Sequence, residues 1–310
     1  MMTHAQIIAL AFVLDFFLGD PRLLPHPVSM IAWFSQRTSD FTRKVLGNSR
    51  FSGVVMVLIT LAAVIGVSIL LLYLAGMVGS WAQIAISVLL VYFSIAPRDL
   101  VRHSMRVFRA LKKNDIETAR RMVGMMVGRD VDSLSENEVI TAAVESVAES
   151  TVDGVLAPLI FAFLFGPVGA VVYRAVNTFD SMYGSKCSKN RDFGWASARL
   201  DDVLNFIPAR VTALIMCFAS LLLLQKPGLA LQTLFRDGHK HPSPNSGLPE
   251  AVVAGALGLQ LGGGSKYKGV FRMRPVIGES INELTVGCIK KANGIMYCTA
   301  LLFVAVIQFI

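Results

Sequence analysis

The chain is poor in charge and lacks the motifs of familiar soluble enzymes. Only 16% of its 310 residues are Asp, Glu, Lys or Arg, and 54% are hydrophobic. That balance excludes an ordinary soluble domain and fits a polytopic membrane protein. The net charge of +8 is dispersed, so it is no nucleic-acid footprint. Four cysteines, Cys187, Cys217, Cys288 and Cys298, show no CxxC spacing. This argues against a disulfide framework or a zinc site and leaves reduced thiols. There is no GxxxxGK[ST], which excludes a P-loop enzyme. The echo at Gly262-Gly263-Gly264-Ser265-Lys266 follows a helical pattern where a P-loop would open one. GxSxG, HExxH and a Ser-His-Asp set are also missing. The apolar run 5–18 has no basic flank and carries Asp15, so it does not read as a cleavable signal peptide. Repeats, heptads and long linkers are lacking too, and the chain reads as one membrane-embedded domain, 1–310.

What is abundant is apolar sequence. Val54 to Val78 gives about 37 Å of helix, enough to cross a bilayer with some tilt. Gly79-Ser80-Trp81 turns the chain, and 82–97 returns to Pro97. That turn carries no Lys or Arg, whereas segments 19–53 and 98–150 are basic. The positive-inside rule then places both basic segments in the cytoplasm. Residues 203–224 and 295–310 are further spans. The run Val155 to Val172 is interrupted by Gly166-Pro167, which suits a re-entrant or broken element better than a clean crossing. The expected class is therefore all-α: a polytopic helical membrane protein with broken or re-entrant segments and cytoplasmic motif loops.

The polar motifs gather around 138–184. Ser135 and Glu138 form a capping box that opens a helix. Glu138, Glu145, Glu149 and Asp153 then follow at offsets of seven, four and four, on one helical face. Asp153-Gly154 and Pro158 are expected to weaken or end that helix. Arg174, Asn177 and Asp180 follow at i+3 steps. Stacked carboxylates repel. Either the face is solvated, or it holds a divalent cation carrying nucleotide phosphates, with Asn177 or Asp180 supplying the opposing ligand.

Other polar segments add candidates. Asp15 lies inside an apolar helix, where an acid is costly. In GDPRLLPHPV, the prolines prevent a continuous helix, and Asp20, Arg22 and His26 could meet a ligand, unless His26 only caps a helix end. Arg98, Arg102, Arg106 and Arg109 make a basic helical face that rests on anionic headgroups or lines a substrate entrance. Gly128-Arg129-Asp130 leads into the acidic helix. The proline-rich stretch 236–246 contains His239, Lys240, His241, Asn245 and Ser246. It precedes a helix expected from about Pro249 to Leu261, so Ser246 lies near a positive helix N-terminus suited to phosphate. His239 and His241 alternate across extended chain, a poor arrangement for joint metal ligation. Residues 265–294 read as a basic surface segment.

Several long motifs resemble a known family. LDFFLGDPRLLPHPV (14–28), MVGRD (126–130), ESVAESTVDGVLAPL, AVNTFDSMYG, SARLDDVLNFIPAR (197–210) and RDGHKHPSPNSGLPEAVVAGALGLQLGG (236–263) resemble the adenosylcobinamide-phosphate synthase family of cobalamin biosynthesis. The resemblance covers nearly the whole chain. It implies a multi-pass enzyme of the bacterial inner membrane that uses ATP to join adenosylcobyric acid to an aminopropanol, or its O-phosphate, through an amide bond. ATP and Mg2+ are the cofactors it implies, and its site loops are expected to be cytoplasmic. ATP-driven amide formation needs Mg2+ on oxygen ligands, cations for the transferring phosphoryl group, and a base for the amine proton. Glu145, Glu149, Asp153 and Asp180 are assigned to the metal. Arg129, Arg174 and Lys240 are assigned to phosphates, and Asp201 or Asp202 to the base. Asp15, Asp20, Arg22, His26, Asp130, Asn177, His239, His241, Asn245 and Ser246 are assigned to substrate or nucleotide. Two other readings exist: a transporter for a metal or corrinoid, and a non-catalytic regulatory membrane relative. Polar motifs concentrated outside the apolar runs weigh against the first, and retention of both the acidic stripe and HKHPSPNSG against the second. Free and phosphorylated amine donors are not distinguished, and no feature sets an oligomeric state.

Overall fold

The computed structural model describes residues 2–20, 26–184, 190–267 and 269–310. Arg22 and Cys187 lie outside them. Helices follow in the order α1 (His4–Leu18), α2 (Pro27–Leu46), α3 (Arg50–Val78), α4 (Ser80–Tyr92), α5 (Pro97–Lys112), α6 (Ile116–Gly124), α7 (Glu136–Ser150), α8 (Ala157–Tyr183), α9 (Trp195–Leu222), α10 (Pro227–Asp237), α11 (Gly247–Leu257) and α12 (Gly287–Val306). One antiparallel hairpin, β1 (Gln260–Tyr267) and β2 (Val270–Gly278), lies between α11 and α12. The class is the all-α polytopic one expected. Among the described residues, five stretches are long and apolar enough to cross a membrane: Arg50–Val78, Ser80–Lys112, Glu136–Tyr183, Trp195–Leu222 and Gly287–Phe309.

The chain forms two compact units, each discontinuous in sequence. One comprises Met1–Ala96, Ala157–Asn205 and Ile307–Ile310; the other comprises Pro97–Leu156 and Phe206–Val306.

In the first unit, α3 shows why apolar length alone does not make a core. Leu58, Ile65, Leu70 and Tyr73 are exposed, as lipid-facing residues should be, while Met56, Val57 and Val64 pack with Val171, Phe179 and Phe193. The hydroxyls of Thr60 and Ser68 on the buried stripe donate to the Met56 and Val64 carbonyls, so both are paired inside the core. α8 turns back on itself. Gly166 adopts φ 70° and ψ −167°, ahead of Pro167. The Phe161 and Tyr173 rings then stack at 5.2 Å, though twelve positions of straight helix would separate them by about 18 Å. A Cβ on Gly169 would lie 2.6 Å from the Phe161 carbonyl oxygen. The run is broken, as expected, and the break sits at Gly166-Pro167.

In the second unit, several expectations need correction. Segment 98–150 is largely helical, built from α5, α6 and α7. At Asp153-Gly154 the acidic helix is weakened and not ended: a π-turn, Thr151–Leu156, carries helical structure on into α8. Its wider i→i+5 spacing breaks the i+4 stagger extended to Asp153. α7 is no solvated helix either, since every residue from Val139 to Ala148 except Thr141 is buried. The helix expected to reach Leu261 ends at Leu257, capped by left-handed Gly258. The glycines 262–264 belong to β1. A Cβ on Gly262, at φ 87°, would meet the Pro275 carbonyl oxygen at 2.2 Å, so that glycine lets the two strands close at the bulge between Leu261 and Gly263.

Candidate active site

α7 and the hairpin build a charged cluster inside the second unit. Glu145 is only 2% exposed, and both its oxygens are taken. One accepts from the Gly262 backbone N–H at 2.8 Å. The other accepts from Arg129 and, at 3.2 Å, from Arg274. Arg129 also donates to Ser265 Oγ at 3.1 Å. Arg274 reaches on to Glu250, which is fully buried, at 3.0 and 3.3 Å to its two oxygens. Burial and the nearby Glu149 and Glu145 push the Glu250 carboxyl well above the usual range, against the pull of Arg274. Against the burial of Arg274, Glu145 and Glu250 hold its guanidinium firmly protonated.

Among the described residues, no guanidinium lies at ion-pair distance from Glu149, in contrast to Glu145. Glu149 shares a hydrogen bond with the Ser246 side chain. One ligand atom each of Glu149, His241 and Glu250 lie within 4.8 Å of one another. His241 Nδ1 accepts the Ser243 backbone N–H at 3.0 Å, so a neutral ring carries its proton on Nε2. Burial and Arg274 lower its pKa to about 4. Neutral His241 is thus a hydrogen-bond donor at its free edge and a poor Nε2 metal ligand as oriented. Mg2+ is commonly bound by one or two carboxylates together with substrate phosphates. Glu149 and Glu250 fit that requirement, and a cation between them would relieve their mutual repulsion.

A cavity of about 370 Å³ opens beside this cluster. Arg129, Glu145, Glu149, His241, Tyr267, Arg272 and Arg274 line it. β2 puts Arg272 and Arg274 on one side and Phe271 and Met273 on the other, by simple strand alternation.

The HKHPSPNS segment splits. His239 is exposed while His241 turns inward. Lys240 pairs with buried Asp237 at 2.7 Å, and Asp237 also accepts from Arg236 and the Gly278 N–H. Those three donors hold Asp237 well below the usual carboxylate range. Asn245 is buried and accepts from Arg210 at 3.4 Å. Ser246 precedes α11 without capping it by its side chain, because that hydroxyl is directed to Glu149. Asp130 fastens the hairpin tip: its N–H donates to the Lys266 carbonyl at 2.8 Å, and its carboxylate accepts the Gly269 N–H at 2.7 Å. Asp153 stands in the π-turn.

The remaining predicted residues fall in the first unit. Arg174 donates to Asn177, Asn177 to Asp201 at 3.5 Å, Asn205 to Asp201 at 3.0 Å, and Tyr173 to Asn205 at 2.7 Å. Asp180 interacts electrostatically with Asp201 and Asp202. Asp180 is therefore grouped with these acids, in a different unit from Glu145 and Glu149. Asp15 is buried. His26 caps α2, accepting the Val28 N–H, and lies 3.5 Å from Asp20. Sequence reasoning overlooked Glu250, Arg272 and Arg274. Glu250 looked like a first-turn helix acid, and the two arginines looked like surface charge, although their i, i+2 spacing signals one face of a strand.

Comparison with known proteins identifies the family. The family model described as CobD/Cbib protein matches residues 8–296. A protein of Geobacter metallireducens named "Cobalamin biosynthesis protein CobD" is 42% identical over 309 residues, covering 98% of this chain and 97% of the relative. Proteins of the same name from Pelobacter propionicus and Leptospira interrogans are 39% and 38% identical, each over 295 residues, covering 95% of this chain and 91% and 94% of the relatives. No solved structure matches. A family match across nearly the whole chain, on a helical membrane scaffold with a buried carboxylate–guanidinium cluster, means that this chain belongs to the CobD/Cbib protein family.

Proposed function

We propose that the protein is a cobalamin-biosynthesis enzyme of the bacterial inner membrane, the whole chain acting as one adenosylcobinamide-phosphate synthase. It joins adenosylcobyric acid to (R)-1-amino-2-propanol or its O-phosphate, using ATP. The observation that carries this reading is the 370 Å³ cavity, whose wall combines guanidinium groups with a carboxylate that has no guanidinium at ion-pair distance among the described residues. Guanidiniums suit phosphoryl groups, and carboxylates suit an amine or a magnesium ion.

In the reaction, the corrinoid carboxylate takes the γ-phosphoryl group of ATP and ADP leaves. The amine nitrogen then attacks the activated carbonyl, phosphate leaves, and the amine loses a proton to a base. Arg129, Arg272 and Arg274 stabilise the transferring charge. Mg2+ held by Glu149 and Glu250 would neutralise phosphate charge when bound. His241 donates from Nε2 and does not serve as the base at neutral pH, since its pKa is about 4. The basic content of 98–150, 174–202 and 236–248 supports a cytoplasmic location for these segments.

The test is turnover of purified protein with ATP, Mg2+, adenosylcobyric acid and each amine in turn. Nucleotide hydrolysis that depends on adenosylcobyric acid, together with amide product, is expected; Glu149→Gln should abolish both while the protein still folds. Corrinoid or metal uptake into vesicles without ATP-dependent ligation would instead support a transporter. Labelling of a cysteine at position 190 only from the periplasm would reverse the topology.

A further inference from the structure

The basic face of α5 takes no part in the site above. Its apolar side is covered within the second unit: Val107, Phe108, Ala110 and Leu111 are buried, Lys290 lies over the Phe108 ring, and Ser104 bonds Asn293. The other side borders a cavity of about 230 Å³ lined by Arg106, Arg109, Lys113, Asp115, Thr118 and Met122. Arg102, one turn earlier, is neutralised by Asp99 at 2.6 Å. Among the described residues, Arg106, Arg109 and Lys113 have no carboxylate at ion-pair distance. Asp115 is the one acid in the lining of this cavity. It is spent as the N-cap of α6, accepting the Thr118 N–H at 2.9 Å. Arg121 adds a fourth cation, bonded to the Thr118 hydroxyl. The cavity therefore keeps a clear positive excess. Its position in the chain supplies the second constraint. These cations follow the apolar α4 within about 20 residues, the range over which basic residues read the membrane surface. Met122 adds an apolar side chain to the cavity lining, suited to lie against acyl chain.

We infer that this cavity binds the phosphodiester headgroup of an anionic lipid, through Arg106, Arg109 and Lys113. It is a lipid site separate from the catalytic cluster, and it anchors the α5–α6 pair at the bilayer surface. Each cation near an anionic leaflet strengthens binding about fivefold. The attraction weakens as salt rises.

The experiment uses the full chain in nanodiscs of equal parts phosphatidylglycerol and phosphatidylcholine, with co-purified lipid counted by native mass spectrometry. Wild type should retain phosphatidylglycerol preferentially. Arg106→Gln, Arg109→Gln and Lys113→Gln should each lower that preference about fivefold, and all three together should erase it. Lys112→Gln, on the same helix but outside the cavity, should leave it intact. An equal effect of Lys112→Gln would mean diffuse surface charge and overturn the site. Absence of preference in wild type, or its survival in the triple variant, would also overturn it. So would inorganic phosphate displacing the lipid at low millimolar concentration, because the ligand would then be a free phosphate.

Discussion

The two units each bury carboxylates, but they satisfy them with opposite chemistry. In the second unit, Glu145 and Glu250 are held mainly by guanidiniums, through Arg129 and Arg274. In the first unit, Asp201 is held by the side-chain amides of Asn177 and Asn205, with Tyr173 behind Asn205. The difference matters because a charge taken from an ion pair orphans its partner, whereas a charge taken from an amide leaves a neutral group. The first arrangement resists change. The second tolerates a change of charge and so suits a group that must gain and lose a proton.

The strongest test of this contrast is Arg274→Met. Glu145 keeps Arg129, but Glu250 loses its guanidinium partner. The expected cost is about 3–5 kcal/mol, read as a fall in unfolding temperature in detergent. A cost below about 1 kcal/mol would show that Glu250 is neutral in the resting protein, and the contrast would break.

Next in size is acid sensitivity. His241 is depressed from 6.5 to about 4 in the folded chain. A base with a lowered folded pKa stabilises the fold fully above its unfolded pKa, and that contribution is lost as pH falls from about 6.5 to about 4. Allowing for its partial exposure, about 2 kcal/mol should disappear across that window. Glu250 opposes this trend, since its raised pKa means that it binds a proton more readily when folded. Comparing wild type with His241→Gln isolates the histidine share. Identical pH curves would remove His241 from the coupled cluster.

Asp201→Asn should separate activity from stability. Amide partners remain within reach, so the stability change should stay within about 1 kcal/mol. If Asp201 is the base, turnover should fall at least about 100-fold. Unchanged turnover would pass that role to Asp202. The smallest effect belongs to the exposed Arg50–Asp192 pair, whose side chains are 64% and 57% exposed. Asp192→Asn should cost less than about 0.5 kcal/mol, and a larger loss would mean that the surface of the first unit is more ordered than its exposure suggests.

Much of the scaffold was legible in the residues. Apolar length marked α3 and α4. Ser135 and Glu138 marked the start of α7, where the capping box forms. Gly166-Pro167 marked the fold-back of α8. Each of these is local, because an 18-residue apolar run, a cap or a proline acts within one element. The π-turn was not legible, since Asp153-Gly154 and Pro158 read as weakening or ending the helix when neighbouring helices are ignored. The hairpin was missed because three glycines suppress the apolar alternation that would announce a strand.

The charged cluster divides along the same line. The sequence by itself determined that this is a helical membrane protein, that Glu145 and Glu149 share a helical face, and that Arg129 lies just upstream. Only the tertiary structure decided that Glu145 is spent on two guanidiniums and a backbone N–H, that Glu149 is left facing a cavity, and that Glu250 joins it. The partners Glu145 and Arg274 are 129 positions apart. Whether a carboxylate is neutralised or left available depends on which distant group is buried beside it, and burial is a property of packing.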